Sequence, residues 1–277
     1  MGRNDKYSSK LSAVRKLITA KGNTLSPIDF DNVCTIARDA GSAIMEIYAG
    51  EFNVELKGDN SPLTCADRAS HQVIVEGLQE ATPDIPILSE EGRAIPYPER
   101  AAWSRFWLVD PIDGTKEFIK RNGEFTVNIA LVEDGRVIAG IVYVPAQETM
   151  YFGRLGAGAW KIEGNQDPVK IAVRAADESL GLTVVMSRSH PSPELEEYLR
   201  DIKVAEAMPV GSSLKLCVVA EGKADLYPRL GPTMEWDTAA GHAVVEAAGG
   251  TVTQVDGAPL RYNKENLLNP YFIVRGR

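Results

Sequence analysis

Apolar residues return at helical spacing at Ile28, Val33, Ile36, Ala40, Ile44 and Ile47, which predicts an amphipathic helix with one face turned to a core. Ser26 before Pro27 supplies a start signal, with Ser as N-cap and Pro at the first helical position. Val73, Ile74 and Leu78 mark a second helix over residues 66–80, stopped at Thr82-Pro83. The period then changes. Residues 85–89, 106–109, 126–132 and 137–144 are short runs rich in branched or aromatic side chains, bounded by turn signals such as Glu133-Asp134-Gly135, and they predict strands. So short a turn predicts antiparallel pairing. Beyond the polar stretch from Glu163 to Pro168 the pattern reads as a strand over 182–186 and helices over 193–199, 212–220 and 238–248. The expected fold class is mixed α/β (α+β), with helices layered between two sheets. Its parts are a tail over 1–25, an N-terminal half over 26–175 and a C-terminal half over 176–277.

Length and composition narrow the function. A chain of 277 residues buries a sizeable core, and 44% apolar with 25% charged residues is ordinary for a globular protein. The net charge of −8 excludes a protein that grips duplex nucleic acid by bulk electrostatics, so an anionic ligand needs a local cluster of cations. Cys34, Cys65 and Cys217 form no Cys-x-x-Cys pair, which argues against a disulfide framework or a thiolate zinc site and points to reduced thiols in a cytoplasm. No apolar run reaches the roughly 18 residues that a spanning helix needs. The first 25 residues carry a net +5, with Leu11, Val14, Leu17 and Ile18 at helical spacing. They read as a terminal tail, the alternatives being a basic amphipathic helix in peripheral contact with the cytoplasmic face of an inner membrane, or a transit-like peptide.

The chemistry gathers at Phe106-Trp-Leu-Val-Asp-Pro-Ile-Asp-Gly-Thr115, a strand that runs into two carboxylates and a glycine turn. Pro111 bends the chain so that Asp110 and Asp113 can converge and the Ile112 carbonyl can face the same point. Three hard oxygens so placed suit Mg²⁺. A helix starting at Thr115 would turn the amides of Gly114 and Thr115 toward a phosphate oxygen. The EF-hand pattern fails here, because positions 3, 5 and 12 counted from Asp110 are Ile112, Gly114 and Arg121. The aspartyl-phosphatase signature fails as well, because the place of its nucleophilic carboxylate is Pro111. By itself an Asp-x-x-Asp-Gly is as readily a turn. Further acids stand at Asp67, at Glu90-Glu91 after a strand, and at Asp237 at the head of a small-residue helix, each with a surface or N-cap reading of its own.

Taken in order, Thr64-x-x-Asp67, Glu90-Glu91, Asp110 to Thr115 and Trp236-Asp237-x-Ala-Ala-Gly241 resemble the inositol monophosphatase superfamily. Residues 116–130, Ser187-Arg-Ser-His190, Gly211-Ser-Ser-Leu-Lys215 and Tyr227-Pro-Arg229 are similar to its CysQ-type 3'(2'),5'-bisphosphate nucleotidase branch. The resemblance spans residues 27–277 and implies a layered αβαβα sugar-phosphatase-like fold. It implies metal ligation by Glu90, Asp110, the Ile112 carbonyl, Asp113 and Asp237, holding two or three Mg²⁺ ions. It also implies that Thr115 positions the attacking water with Asp67 orienting it, that Glu90 belongs to the catalytic set, and that Li⁺ inhibits. Substrate contact is expected at Glu90, Ile112, Asp113, Gly114, Thr115 and Asp237 around the metals. In the branch-specific segments it is expected at Ser187, His190, Ser212, Lys215 and Arg229.

Clustered carboxylates repel one another, and divalent cations relieve that repulsion while activating a bound water. The expected reaction is therefore direct hydrolysis with no phosphoenzyme, and the resemblance implies a small nucleotide as its substrate. It removes the 3'-phosphate of adenosine 3',5'-bisphosphate, or of adenosine 3'-phosphate 5'-phosphosulfate, in support of sulfur assimilation. Lys116, Lys120, Arg121 and Arg188 are further cations available to the substrate. His71 and His242 read as packing or surface residues on helices. An inositol or sugar monophosphatase is the first alternative, since the metal motifs fix the reaction and not the leaving group. A non-catalytic module that binds metal and phosphate is the second, and it has no use for Thr115 and Asp67.

Overall fold

The computed structural model describes residues 28–50, 54–56, 62–187 and 193–277, with 54–56 and 62–64 described by backbone alone. Helices α1 (Phe30–Tyr48) and α2 (Cys65–Ala81) pack on each other, with a short antiparallel ribbon of β1 (Val54–Leu56) and β2 (Pro62–Thr64) between them in the chain. The start read at Ser26-Pro27 is corrected. Those two residues lie outside the described ones, and α1 is capped by Asp29, whose carboxylate accepts the Asp31 N–H at 3.1 Å.

Next come β3 (Ile87–Ser89), α3 (Tyr97–Arg100), β4 (Arg105–Asp113), α4 (Thr115–Ile119), β5 (Thr126–Glu133) and β6 (Arg136–Val144). The sheet continues through β7 (Thr149–Arg154), β8 (Gly158–Glu163) and β9 (Val169–Ile171). These seven strands, β3 to β9, pair in sequence order; β3 is parallel to β4 and the others are antiparallel, as the short turn after β5 predicts. The last three strands escape the sequence pattern. In β7 the strand formers Thr149, Tyr151 and Phe152 are interrupted by Met150 and Gly153, and no branched aliphatic residue marks the run.

The second half holds β10 (Leu182–Ser187), α5 (Pro193–Leu199), β11 (Val204–Val210), α6 (Leu214–Ala220) and β12 (Leu226–Arg229). It ends with α7 (Glu235–Ala247), β13 (Thr251–Gln254) and β14 (Phe272–Arg275). Its five strands are ordered β11-β10-β12-β14-β13, where the sequence pattern showed one. β11 is an edge strand with mostly exposed residues, so hydrophobicity does not announce it. The predicted start of α6 at 212 moves to Leu214 because Ser212 has φ +46°, outside the helical region.

Three apolar clusters separate five layers. Phe30, Ile44, Ile74, Trp107 and Phe152 fill the space between α1, α2 and the first sheet. Leu216, Val219, Val244 and Phe272 belong to a second cluster around α6 and α7, which lie between the two sheets. Leu182, Val184, Leu226 and Ile273 form a third beneath Tyr198 and Leu199 at the end of α5. The order is αβαβα, as expected. Helix α7 sits so close to the first sheet that a Cβ on Gly140 would lie 2.2 Å from the Ala240 oxygen, and one on Gly153 would lie 2.6 Å from the Val244 Cα.

Candidate active site

Residues three apart on a regular strand face opposite sides, so Asp110 and Asp113 would be separated by the sheet. A bulge in β4 removes the conflict. Asp110 is opposite Asn128 whereas Asp113 is opposite Thr126, so β4 carries one extra residue between them and both acids reach the same side. The Ile112 N–H donates to Asp110 Oδ1 at 3.1 Å, and Ser70 Oγ donates to the Pro111 carbonyl at 2.8 Å, which pins the bulge from α2. β3 runs parallel to β4 with Ser89 beside Val109, so Glu90, the next residue, arrives beside Asp110. Its N–H donates to the Val109 carbonyl at 3.1 Å.

Asp237 comes from the first turn of α7, where its Oδ2 accepts the Met234 N–H at 2.9 Å. That turn is held by Glu235, a fully buried carboxylate accepting from Asn263 N at 2.6 Å, Lys264 N at 3.0 Å and Lys264 Nζ at 2.6 Å. The result is a cluster in which one carboxylate oxygen each from Glu90, Asp110 and Asp237 all lie within 4.8 Å of one another.

The electrostatics follow from that crowding. Burial pushes the Asp110 carboxyl well above the usual range, and the charges of Glu90, Asp113, Asp237 and Asp67 push it further. Asp237 is raised for the same reasons, burial first and Asp113 next. Asp113 rises to about 6 through burial, opposed by the Lys215 ammonium and by the Ser213 backbone N–H that it accepts. Lys215, itself buried, falls to about 8 through loss of solvent, although Asp113, Glu117 and Asp237 favour its charge. This donor set fits a hard divalent cation. All its atoms are oxygens, several acids cannot ionise together without a counter-charge, and no sulfur or imidazole stands among them.

The cluster forms one end of a cleft of about 570 Å³. Ile112, Asp113, Gly114 and Thr115 line it, as do Ser187 at the end of β10, Ser212, Lys215 and Arg229. The substrate contacts expected from sequence reach this one cleft except His190, which lies outside the described residues; of the further cations Lys116 lines it, Lys120 and Arg121 do not, and Arg188 lies outside the described residues. Asp67 is buried in the first turn of α2, and its charge acts on Asp110. Lys215 Nζ donates to the Ser212 carbonyl and stands 5.7 Å from the centre of the Tyr227 ring. Arg229 donates to the Pro232 carbonyl at 2.8 Å through Nη2, while its Nε is buried with no hydrogen-bond partner.

Arg121 is removed from the candidate cations. Its guanidinium donates to the Tyr48 and Gly50 carbonyls at 2.7 and 2.8 Å and closes the end of α1. His71 bonds Ser89 Oγ at 2.9 Å and His242 bonds the Tyr262 hydroxyl at 2.8 Å, so both are packing residues as read. The sequence reading missed Glu117, Leu195, Leu230 and Tyr271, all of which line the cleft. Glu117 stands in the 116–130 segment with no role read for it, and the other three carry no motif and reach the cleft only through the packing of the second half.

The chain matches the model of the inositol monophosphatase family over residues 28–271. A 3'(2'),5'-bisphosphate nucleotidase CysQ from Escherichia coli O6:H1 is 54% identical over 247 residues, 88% of this chain and 98% of its own. Among solved structures, CysQ from Bacteroides thetaiotaomicron superposes with a TM-score of 0.79 at 46% identity, over 88% of this chain and 96% of that one. An inositol monophosphatase from Zymomonas mobilis gives 0.72 at 27% identity, over 91% and 94%. With a family match over residues 28–271, relatives 54% identical over most of the chain and the same fold, the chain belongs to the inositol monophosphatase family.

Proposed function

We propose that this protein is a Mg²⁺-dependent 3'(2'),5'-bisphosphate nucleotidase that hydrolyses adenosine 3',5'-bisphosphate with water to AMP and phosphate. Adenosine 3'-phosphate 5'-phosphosulfate is a second substrate of the same class, and both place the enzyme in sulfur assimilation. The observation that carries this reading is the sharing of one cleft by the acid cluster and by Lys215 and Arg229. A metal site alone would serve any phosphomonoester; two cations beside it in the same cleft suit a second phosphate. Relatives with 53–54% identity over nearly their whole length bear the nucleotidase name.

Glu90, Asp110, Asp113, Asp237 and the Ile112 carbonyl are assigned to hold two or three Mg²⁺ ions, which supply charge neutralisation and water activation when bound. The remaining work belongs to the chain. Thr115 at the head of α4 orients the attacking water, with buried Asp67 as the acceptor that fixes its hydroxyl. Gly114, left-handed at φ +89°, turns the backbone from β4 into α4 and so delivers Thr115 to the cleft. Ser187 and Ser212 offer hydroxyls to the ribose, while Lys215 and Arg229 take the distal phosphate; His190 is retained as a further contact on sequence grounds. Among the described residues no histidine lines the cleft, so the leaving ribose oxygen takes its proton from water.

The test is phosphate release from the bisphosphate, the phosphosulfate, inositol 1-phosphate and fructose 1,6-bisphosphate, each with and without Mg²⁺. The bisphosphate should lead, and a lead for inositol 1-phosphate would overturn the assignment. Lys215→Ala or Arg229→Ala should lower kcat/KM for the bisphosphate relative to a 3'-monophosphate about ten- to a hundredfold, the worth of one charge-assisted contact. The free cysteines Cys34, Cys65 and Cys217 support a reducing compartment, and among the described residues no helix is long and apolar enough to cross a membrane. Contact of residues 1–25 with an anionic membrane surface stays a proposal of its own.

A further inference from the structure

The cleft has two unlike walls, and the register of β12 against β14 separates them. Successive residues of a strand face opposite sides. Tyr227 and Arg229, opposite Val274 and Phe272, turn toward α6 and α7, where Tyr227 meets Lys215 and the charged end of the cleft. Pro228, opposite Ile273, turns to the other side, where Ile273 packs with Tyr198 and Leu199 of α5. Just past the strand ends, Leu230 follows Arg229 and packs in the cluster on the α5 side, Tyr271 precedes Phe272, and both line the cleft. Leu195 of α5 completes an apolar wall.

Within that wall Leu195 and Leu230 are 8% and 9% exposed, whereas Tyr271 is 45% exposed. Its backbone is nevertheless fixed. Buried Asn269, two residues before, donates its N–H to the Thr233 carbonyl and its Nδ2 to the Met234 carbonyl, both at 2.8 Å. Gly231 lines the cleft as well, and an added Cβ there would meet nothing nearer than the Arg229 Cζ at 4.0 Å. A fixed, half-exposed aromatic ring beside apolar side chains and open space offers a face to a planar ring. Ribose hydroxyls and phosphates belong on the charged wall, which leaves the base of a nucleotide for this one.

We propose that the nucleobase of the substrate binds against Leu195, Leu230, Gly231 and Tyr271, with Tyr271 stacking on the base as a specificity-determining residue. This rests on the nucleotidase reading above. Inositol and sugar phosphates have no aromatic face to present, so the apolar wall selects between substrates that the acid cluster treats alike.

The experiment compares kcat/KM for adenosine 3',5'-bisphosphate with that for its base-free analogue 1-deoxyribose 3,5-bisphosphate, in the wild type, Tyr271→Ala and Tyr271→Phe. Tyr271→Ala should lower the value for the nucleotide on the order of ten- to a hundredfold and leave the base-free analogue unchanged, since base stacking on one aromatic ring carries about that weight. Tyr271→Phe should retain the wild-type ratio. Because Tyr271 is exposed, the variants should melt at the wild-type temperature, which separates this effect from damage to the fold. An equal loss on both substrates, or no loss on the nucleotide, overturns the stacking role alone. A wild-type enzyme that prefers inositol 1-phosphate overturns the nucleotidase reading, and this proposal with it.

Discussion

Replacing Asp113 by Asn should make the metal-free protein more stable at alkaline pH while removing much of its stabilisation by Mg²⁺. Folding lifts the Asp113 carboxyl from 3.8 to about 6, chiefly by burial. That difference is worth about 3 kcal/mol between the protonated and ionised forms. A raised folded pKa binds protons more tightly than the unfolded chain does, so the stability it contributes is complete below pH 3.8 and is lost as pH rises through about 6. Asn carries no such penalty. In chelator, variant and wild type should therefore match near pH 4, diverge through pH 6 and differ by up to about 3 kcal/mol at pH 8, or roughly 6–12 °C in Tm. Lys215 loses its strongest counter-charge in the variant, which trims the gain without reversing it. Urea denaturation across that pH range measures the difference, and repetition with excess Mg²⁺ should raise the wild-type midpoint far more than the variant's. A variant that is less stable than the wild type in chelator at pH 8 would refute the argument from crowded acids.

Asp237→Asn should abolish turnover under saturating Mg²⁺ with the protein still folded, since it neutralises one of the three clustered carboxylates on a helix held by other bonds; full activity would remove Asp237 from the metal site. Glu235→Ala strips the acceptor from Asn263 N, Lys264 N and Lys264 Nζ, so it should cost about 2–4 kcal/mol by denaturation and weaken Mn²⁺ binding followed by electron paramagnetic resonance. Removal of residues 1–25 should leave turnover in solution unchanged and alter only sedimentation with anionic vesicles; a drop in turnover would show that the segment packs on the catalytic body. Li⁺ at tens of millimolar should inhibit uncompetitively in steady-state assays, and insensitivity would set the chain apart from the pattern its motifs resemble.

What the sequence made legible and what it hid have physical causes. Helix α2 announced itself by apolar positions at helical spacing, and strands β4 to β6 by runs of branched and aromatic residues bounded by turns that carry Gly or Pro. The acids were found as a motif, but a regular strand would have set Asp110 and Asp113 on opposite faces, and the bulge that unites them follows from pairing with β5, which no local pattern encodes. Asp29 took the capping role from Ser26 because either oxygen can satisfy a first-turn amide, so the two start signals compete. The fate of Arg121 depended on the distance to the end of α1, a residue pair 73 apart in the chain. Tyr271 lay beyond reach for the same reason: its partner across the cleft wall is set by β12 and β14, joined through forty-odd intervening residues.

The tight seat of α7 on Gly140 and Gly153 carries a consequence for how such a chain diversifies. Asp237 belongs to the second half by sequence, yet its helix is wedded to the first sheet, so every proposed metal ligand rides on one unyielding block. Lys215, Arg229 and Tyr271 ride on α6 and the second sheet, and they meet that block at the turn from Gly211 to Ser213. Substitutions in the second sheet can therefore explore new leaving groups generation after generation while the hydrolytic chemistry is inherited untouched. An ancestor with this division of labour could give rise to descendants that share one reaction and disagree only about what they cut.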